Sequence, residues 1–296
     1  MNDAEVPQID APRIERGVRQ KLAAFQSRYP LRSVEIERRT WVFRRTPGRA
    51  AGQVPLVMLP GIQGGGDILF EAALLLGERM PVITINAPDI EDAAQMRAGL
   101  AGFLGRLGVR RTNMLGSSLG GYLAQSFALL HPGSVAQLVI ANGFIDVAAI
   151  TATLPPAPIV AAMDAAGLVQ QNVRALVDTS SRTEGEVRLK AAVKALVGPA
   201  QTLENYKSRL LLMMGLPPLA EAPPIAPDRV LIIDDDHDPL ILPEMRGALR
   251  KRFARSEQHS IDGGGHLPAV QRPARFAELL TQRLITDAPL STITTS

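Results

Sequence analysis

The sequence has no cysteine, which excludes a disulfide framework, a thiolate metal site and a cysteine nucleophile. It has no apolar run of the roughly 18 residues needed to span a bilayer. It also lacks a block of like charge. The formal net charge is +3, and charges of both signs are interspersed, so no nucleic-acid-binding arm is expected. The densest basic stretch, residues 38–49, is interrupted by Trp41, Val42, Phe43 and Pro47 and reads as a solvated strand pair. The opening residues Met1 to Glu5 are polar and acidic. Without the basic and apolar segments of a secretory leader, they point to the cytoplasm. Aromatic residues make up 4% of the 296 residues. The apolar content of 46% is ordinary and can fill a sizeable core.

Periodicity organises what is present. Residues 13–29 read as a helix ended by Pro30, followed by extended stretches at 32–37 and 40–45. Short apolar runs at 54–59, 81–85, 112–115 and 135–141 read as strands buried on both faces. Between them lie a helix through Leu76 that Asp67 is placed to cap, an amphipathic helix at 91–107 ended by Gly108, and a helix at 119–130. This alternation predicts an α/β architecture with a mostly parallel sheet flanked by helices.

The alternation stops at Asp146 and resumes with strands at 230–233 and about 258–261 and a final helix at 273–284. Residues 1–145 and 228–296 are therefore expected to form one core domain. Residues 146–227 form a helical insertion with helices at 157–177, 184–196 and 202–212. In the second of these, Glu184, Glu186, Arg188, Lys190 and Lys194 are expected to face water. The tail from Thr286 is rich in Ser and Thr and is expected to fray.

Gly116-Ser117-Ser118-Leu119-Gly120 fits G-x-S-x-G where a short strand runs into a helix. That is the setting in which a serine nucleophile is held on a sharp turn. Glycines two residues either side leave room that side chains would fill. There is no lysine at the turn, so a phosphate-binding loop does not fit. Of four histidines, His266 alone follows a glycine run, Gly263-Gly264-Gly265, just past the last strand. It is the expected general base. The acid that orients it should lie just beyond strand 230–233, among Asp234, Asp235, Asp236 and Asp238. Asp238 fits best and Asp236 second. The order Ser118, Asp238, His266 is the one expected for this arrangement. Oxyanion-hole N–H groups are expected at Leu119 and, in the loop of residues 60–66, at Ile62, with Gln63 as runner-up.

These stretches together resemble the α/β-hydrolase superfamily over about residues 31–285. Within it, Tyr29-Pro30-Leu31, Leu59-Pro60, Leu119-Gly120-Gly121-Tyr122-Leu123-Ala124-Gln125 and Ala141-Asn142-Gly143-Phe144 look closest to maspardin-like proteins. That family includes a binding protein that lacks the histidine. His266 departs from this pattern, so the resemblance here implies an active serine hydrolase, with a non-catalytic binding protein as the alternative. The expected reaction is acyl transfer to water through a Ser118 acyl-enzyme, on an ester or thioester of a small to medium apolar acyl substrate. C–C bond hydrolysis or perhydrolysis can use the same residues. No cofactor and no metal are called for. The insertion starts at the carboxyl end of strand 135–141, so it should cover Ser118 as a cap. Met213 and Met214, in its last apolar run, are candidates for lining an adaptable substrate pocket.

Overall fold

Apolar runs too short for helices become the centre of a sheet. The computed structural model describes residues 9–49 and 52–285; the expectations for residues 1–5 and for the tail from 286 lie outside them. Two strands come first, β1 (Arg32–Ile36) and β2 (Arg39–Arg45), then β3 (Leu56–Leu59), β4 (Val82–Asn86), β5 (Thr112–Ser117) and β6 (Val135–Ala141). After the insertion come β7 (Val230–Asp234) and β8 (Glu257–Ser260). They form one eight-stranded sheet in the order β1-β2-β4-β3-β5-β6-β7-β8. β2 is antiparallel to both neighbours, and every ladder from β4 to β8 is parallel.

Because successive side chains of a strand point to opposite faces, the apolar runs feed two cores. Val57, Ile83, Met114, Ile140 and Ile232 enter one. Met58, Val82, Leu115, Val139 and Leu231 enter the other. Helices cover both faces: α1 (Ala11–Arg28), α2 (Phe70–Leu76), α3 (Ala93–Arg106) and α4 (Leu119–Leu130) before the insertion. The insertion supplies α5 (Ala148–Thr151), α6 (Ala157–Ala162), α7 (Ala165–Val177), α8 (Glu184–Leu196) and α9 (Leu203–Met214). The chain ends with α10 (Pro243–Arg252), α11 (Pro268–Gln271) and α12 (Pro273–Leu284). Among the described residues, no helix is long and apolar enough to cross a membrane.

The order reverses at β3, which has β4 on one side and β5 on the other. The loops leaving β3 and β5 therefore meet in a crevice at the carboxyl edge of the sheet, where parallel sheets of this kind place their ligands.

Several local expectations are corrected. Asp67 does not cap a helix; it is buried and paired with Arg44 at 2.8 Å. Arg44 is thus the buried arginine of a stretch whose other arginines are exposed, and it also donates to Tyr29 O at 2.6 Å. Its side chain lies against the end of α1, beside Gln26 O and the Phe25 ring, where an unpaired charge would cost several kcal/mol, about 3–5. The helix expected over 157–177 is two helices, because Asp164 leaves the helical conformation and caps α7 through Gly167 N. Arg188 and Lys190 do not simply face water. Arg188 pairs with buried Glu71 and donates to Val270 O. Lys190 is buried and donates to Thr179 O. The reason is that α8 lies against α1 and α11 and not free in solvent. Helix α10 was not anticipated, although Pro243 in its first turn and Arg250, Lys251 and Arg252 in its last are helix-terminus signals.

Candidate active site

Ser118 sits between β5 and α4 with φ 55° and ψ −120°, and its side chain makes no capping hydrogen bond. It is therefore not an ordinary N-cap serine. A non-glycine residue in that region costs about 1–3 kcal/mol and persists only where its surroundings enforce it. Here they do. A Cβ on Gly116 would lie 2.0 Å from Gly120 O, and one on Gly120 would lie 2.1 Å from Leu59 O. Strand, turn and helix thus close on one another without side chains between. The Ser118 N–H donates to Ala141 O at 2.9 Å, anchoring the turn to the neighbouring strand.

His266 Nε2 lies 2.9 Å from Ser118 Oγ, and its Nδ1 lies 2.9 Å from Asp238 Oδ2 and 3.1 Å from Oδ1. Burial alone would raise the pKa of Asp238. The hydrogen bond and charge of His266, the Asn142 amide and the Leu240 N–H outweigh that and hold it below the ordinary carboxylate value. An ionised Asp238 can only accept, so Nδ1 carries the proton and Nε2 of the neutral ring is free to accept from the Ser118 hydroxyl. Asp238 Oδ1 also accepts from Leu240 N and Ile241 N at 2.8 and 3.1 Å.

The other carboxylates of the run go elsewhere. Asp234 is buried against Arg250. Asp236 is exposed and paired with Arg250 at 2.9 Å and Arg246 at 3.6 Å. Asp235 accepts from Gly265 N at 2.6 Å and so holds the loop carrying His266. His237 lies in this acidic loop, His259 is on β8 beside Glu257, and His131 ends α4 against Phe127.

Asn142 was not picked out as a site residue from the sequence. It is buried at the end of β6 with φ 44°. Its Nδ2 donates both to Asp238 Oδ2 and to Gly265 O, the latter at 2.8 Å. One amide thus ties the acid to the histidine loop. The available signal was Asn-Gly directly after a buried strand, since asparagine tolerates positive φ.

On the other side of Ser118 lies the loop after β3. A Cβ on Gly61 would stand 3.2 Å from Ser118 Cβ and 3.7 Å from its Oγ. Leu119 opens α4, so its N–H has no acceptor within the helix. Ile62 and Gln63, half-buried, follow Gly61. Their loop is held from the insertion. Arg209 Nε donates to Gly61 O at 2.8 Å and its Nη2 to Pro60 O at 2.7 Å. Gln201 Nε2 donates to Ile62 O at 2.7 Å while its Oε1 accepts from Gly64 N at 2.6 Å. Burial raises the pKa of the Tyr206 hydroxyl, against the lowering influence of the Gln63 and Asn172 side chains. Met213 is buried in the core one helical turn beyond Arg209, and Met214 is half-buried against that core. Among the described residues, no group of three or more His, Asp or Glu is arranged to hold a metal ion.

Comparison with known proteins agrees with this architecture. Rat (Rattus norvegicus) maspardin is 30% identical over 128 residues, 41% of this chain; the chain thus spans about half (49%) of that relative's length. A protein named as carbamate hydrolase RutD, from Cronobacter sakazakii, is 28% identical over 252 residues, covering 80% of this chain and 93% of that protein. The crystal structure of an enol-lactonase from Burkholderia xenovorans superposes with a TM-score of 0.69 at 16% identity, over 86% of this chain and 99% of that one. A family model described as Alpha/beta hydrolase family matches residues 56–279, the stretch from β3 into α12. With that match and the eight-stranded sheet behind it, this chain belongs to the alpha/beta hydrolase family.

Proposed function

We propose that this chain is a serine hydrolase that cleaves an ester or thioester through an acyl-enzyme on Ser118. The observation carrying the proposal is the continuous hydrogen-bonded line from Asp238 through His266 to Ser118 Oγ, with 2.9 Å at each of its two links. As Oγ bonds to the acyl carbon, His266 Nε2 takes its proton and the carbonyl oxygen becomes an oxyanion. Asp238 stabilises the imidazolium. Collapse of the tetrahedral species breaks the bond to the leaving group, which takes the proton from Nε2. Water, deprotonated by the same nitrogen, then releases the acid. Leu119 N–H and Ile62 N–H, with Gln63 as the alternative, receive the oxyanion.

The insertion, residues 146–227, acts as the cap, with Met213 and Met214 toward the acyl chain. The similarity to a carbamate hydrolase brings carbamates, acyl compounds open to the same attack, into the substrate range to be tried. The match to maspardins favours a second reading, a binding protein that keeps the fold without turnover. A fluorophosphonate probe separates the two readings. An enzyme is labelled, and Ser118→Ala abolishes the label. A wild-type protein that stays unlabelled and inert toward esters, thioesters and carbamates overturns the hydrolase reading.

A further inference from the structure

Arg209 is 3% exposed and, among the described residues, has no carboxylate partner; its two described hydrogen bonds go to the carbonyls of Pro60 and Gly61. Burying a guanidinium without a counter-charge is costly. Burial lowers its pKa to about 10, so it remains a cation at neutral pH. A leucine or methionine would fill the space on α9 without that cost. The charge therefore has work to do where it lies, against the loop that faces Ser118.

The peptide plane supplies the link. In a trans peptide the C=O and the N–H of one unit point in opposite directions, and no described peptide bond is cis. Gly61 C=O shares its unit with Ile62 N–H, and Ile62 C=O shares its unit with Gln63 N–H. Arg209 holds the first of these carbonyls and Gln201 the second. With Gly61 O drawn toward Arg209, Ile62 N–H is turned away from it. Drawing electron density toward a carbonyl oxygen also makes the N–H of the same unit a better donor, by roughly the 10–30% seen for hydrogen bonds in series.

We propose that Arg209 is a positioning residue that orients and polarises the Gly61–Ile62 peptide so that Ile62 N–H meets the oxyanion on Ser118, while Gln201 braces the next peptide, Ile62–Gln63, behind it. The oxyanion hole is then completed by the insertion, through side chains lying 139 and 148 residues along the chain from the carbonyls they hold. This rests on the serine hydrolase reading and adds to it which groups set the hole.

The test compares wild type, Arg209→Met, Arg209→Lys and Gln201→Leu on an ester that the wild type cleaves. It also measures the inhibition constant of an aryl boronic acid, which forms a tetrahedral adduct on the serine. Arg209→Met should lower kcat by about 10²-fold, the scale of a lost oxyanion donor. KM should stay the same, and boronate affinity should fall by a matching factor. Arg209→Lys, which keeps the charge but only a point donor, should recover part of both losses. Gln201→Leu should show the same pattern in smaller measure. If Arg209→Met does not fold, the Lys and Leu variants carry the test on the same criteria. Unchanged kcat, a rise in KM alone, or a fall in kcat without weaker boronate binding overturns the proposal while the serine hydrolase reading stands. A wild type without Ser118-dependent turnover overturns both.

Discussion

The two sides of Ser118 are built from different materials. On the acid–base side, Asn142, Asp235, Asp238, Gly265 and His266 all lie on loops leaving β6, β7 and β8. They belong to the sheet, and the charge they present is negative. On the oxyanion side, the loop after β3 is braced by Gln201 and Arg209 from the insertion, and the charge there is positive. A serine attacking a carbonyl separates charge in the complementary sense, imidazolium toward the carboxylate and oxyanion toward the cation. Fixed groups of opposite sign stabilise such a state most where water is excluded. On the hydrolase reading proposed above, the difference assigns the proton chemistry to the sheet and the tuning of the anion to the insertion.

The strongest way to break this comparison is to remove the acid–base side altogether. Ser118→Ala and His266→Ala should each cost roughly a million-fold in kcat, and the double variant should cost little more, because the residues act as a unit. Next is Asp238→Asn, expected to cost roughly ten-thousand-fold by favouring the wrong histidine tautomer. Asp236→Asn, at an exposed ion pair, should leave kcat alone, and steady-state kinetics on the two variants decide which aspartate is the acid.

A finer probe is Asn142→Gly, which suits the positive φ but removes the donor to Asp238. Losing a hydrogen bond to a charged group, about 1.5 kcal/mol, should lower kcat about tenfold. It should also move acid unfolding. Because the folded-state pKa of Asp238 is depressed, its stabilisation is present above the ordinary carboxylate value, about 3.9, and is lost as pH falls through the folded value. Without Asn142 that folded value rises, so the acid-unfolding midpoint should shift to higher pH, as read by circular dichroism.

The smallest effect is expected on the insertion side, at Met214→Ala. In a series of p-nitrophenyl esters the preferred acyl chain should lengthen by a few-fold in kcat/KM. That is less than the about tenfold of a fully enclosed methylene, because Met214 is only half-buried. Met213 is buried in the core, so Met213→Ala should also cost stability, about 2–5 kcal/mol. A profile that neither change alters would make α9 a brace for the oxyanion loop and not a pocket wall.

The same division marks what could be read from the sequence. Ser118, Asp238 and His266 each follow a strand by a few residues, so local pattern reaches them. The alternation from Val54 to Ala141 is likewise local, and the strands and helices appear where periodicity puts them. Arg209 reads as one more polar position in an amphipathic helix, and only a carbonyl 148 residues away gives it meaning. Arg44 and Asp67 carried the same ambiguity, since charge in a strand or at a helix start normally faces water. Lys190 and Arg188 were misassigned because helical spacing gives a face without saying what packs on it. The break between α6 and α7 turns on one capping aspartate, Asp164, in a stretch otherwise favourable to helix.

Strands β6 and β7 are paired neighbours, yet residues 142–229 separate them in the chain. Closing so long a loop carries an entropic cost that nearby strand pairs escape, and contacts distant in sequence form slowly. Strands β3 to β6 and their helices form an almost continuous unit and can assemble first. Asp238 and His266 arrive only with β7 and β8, and Arg209 only with the insertion between. On the hydrolase reading, catalytic competence is therefore the last property this chain should acquire as it refolds. After dilution from denaturant, recovery of esterase activity should lag behind recovery of far-ultraviolet ellipticity, and simultaneous recovery would contradict that order.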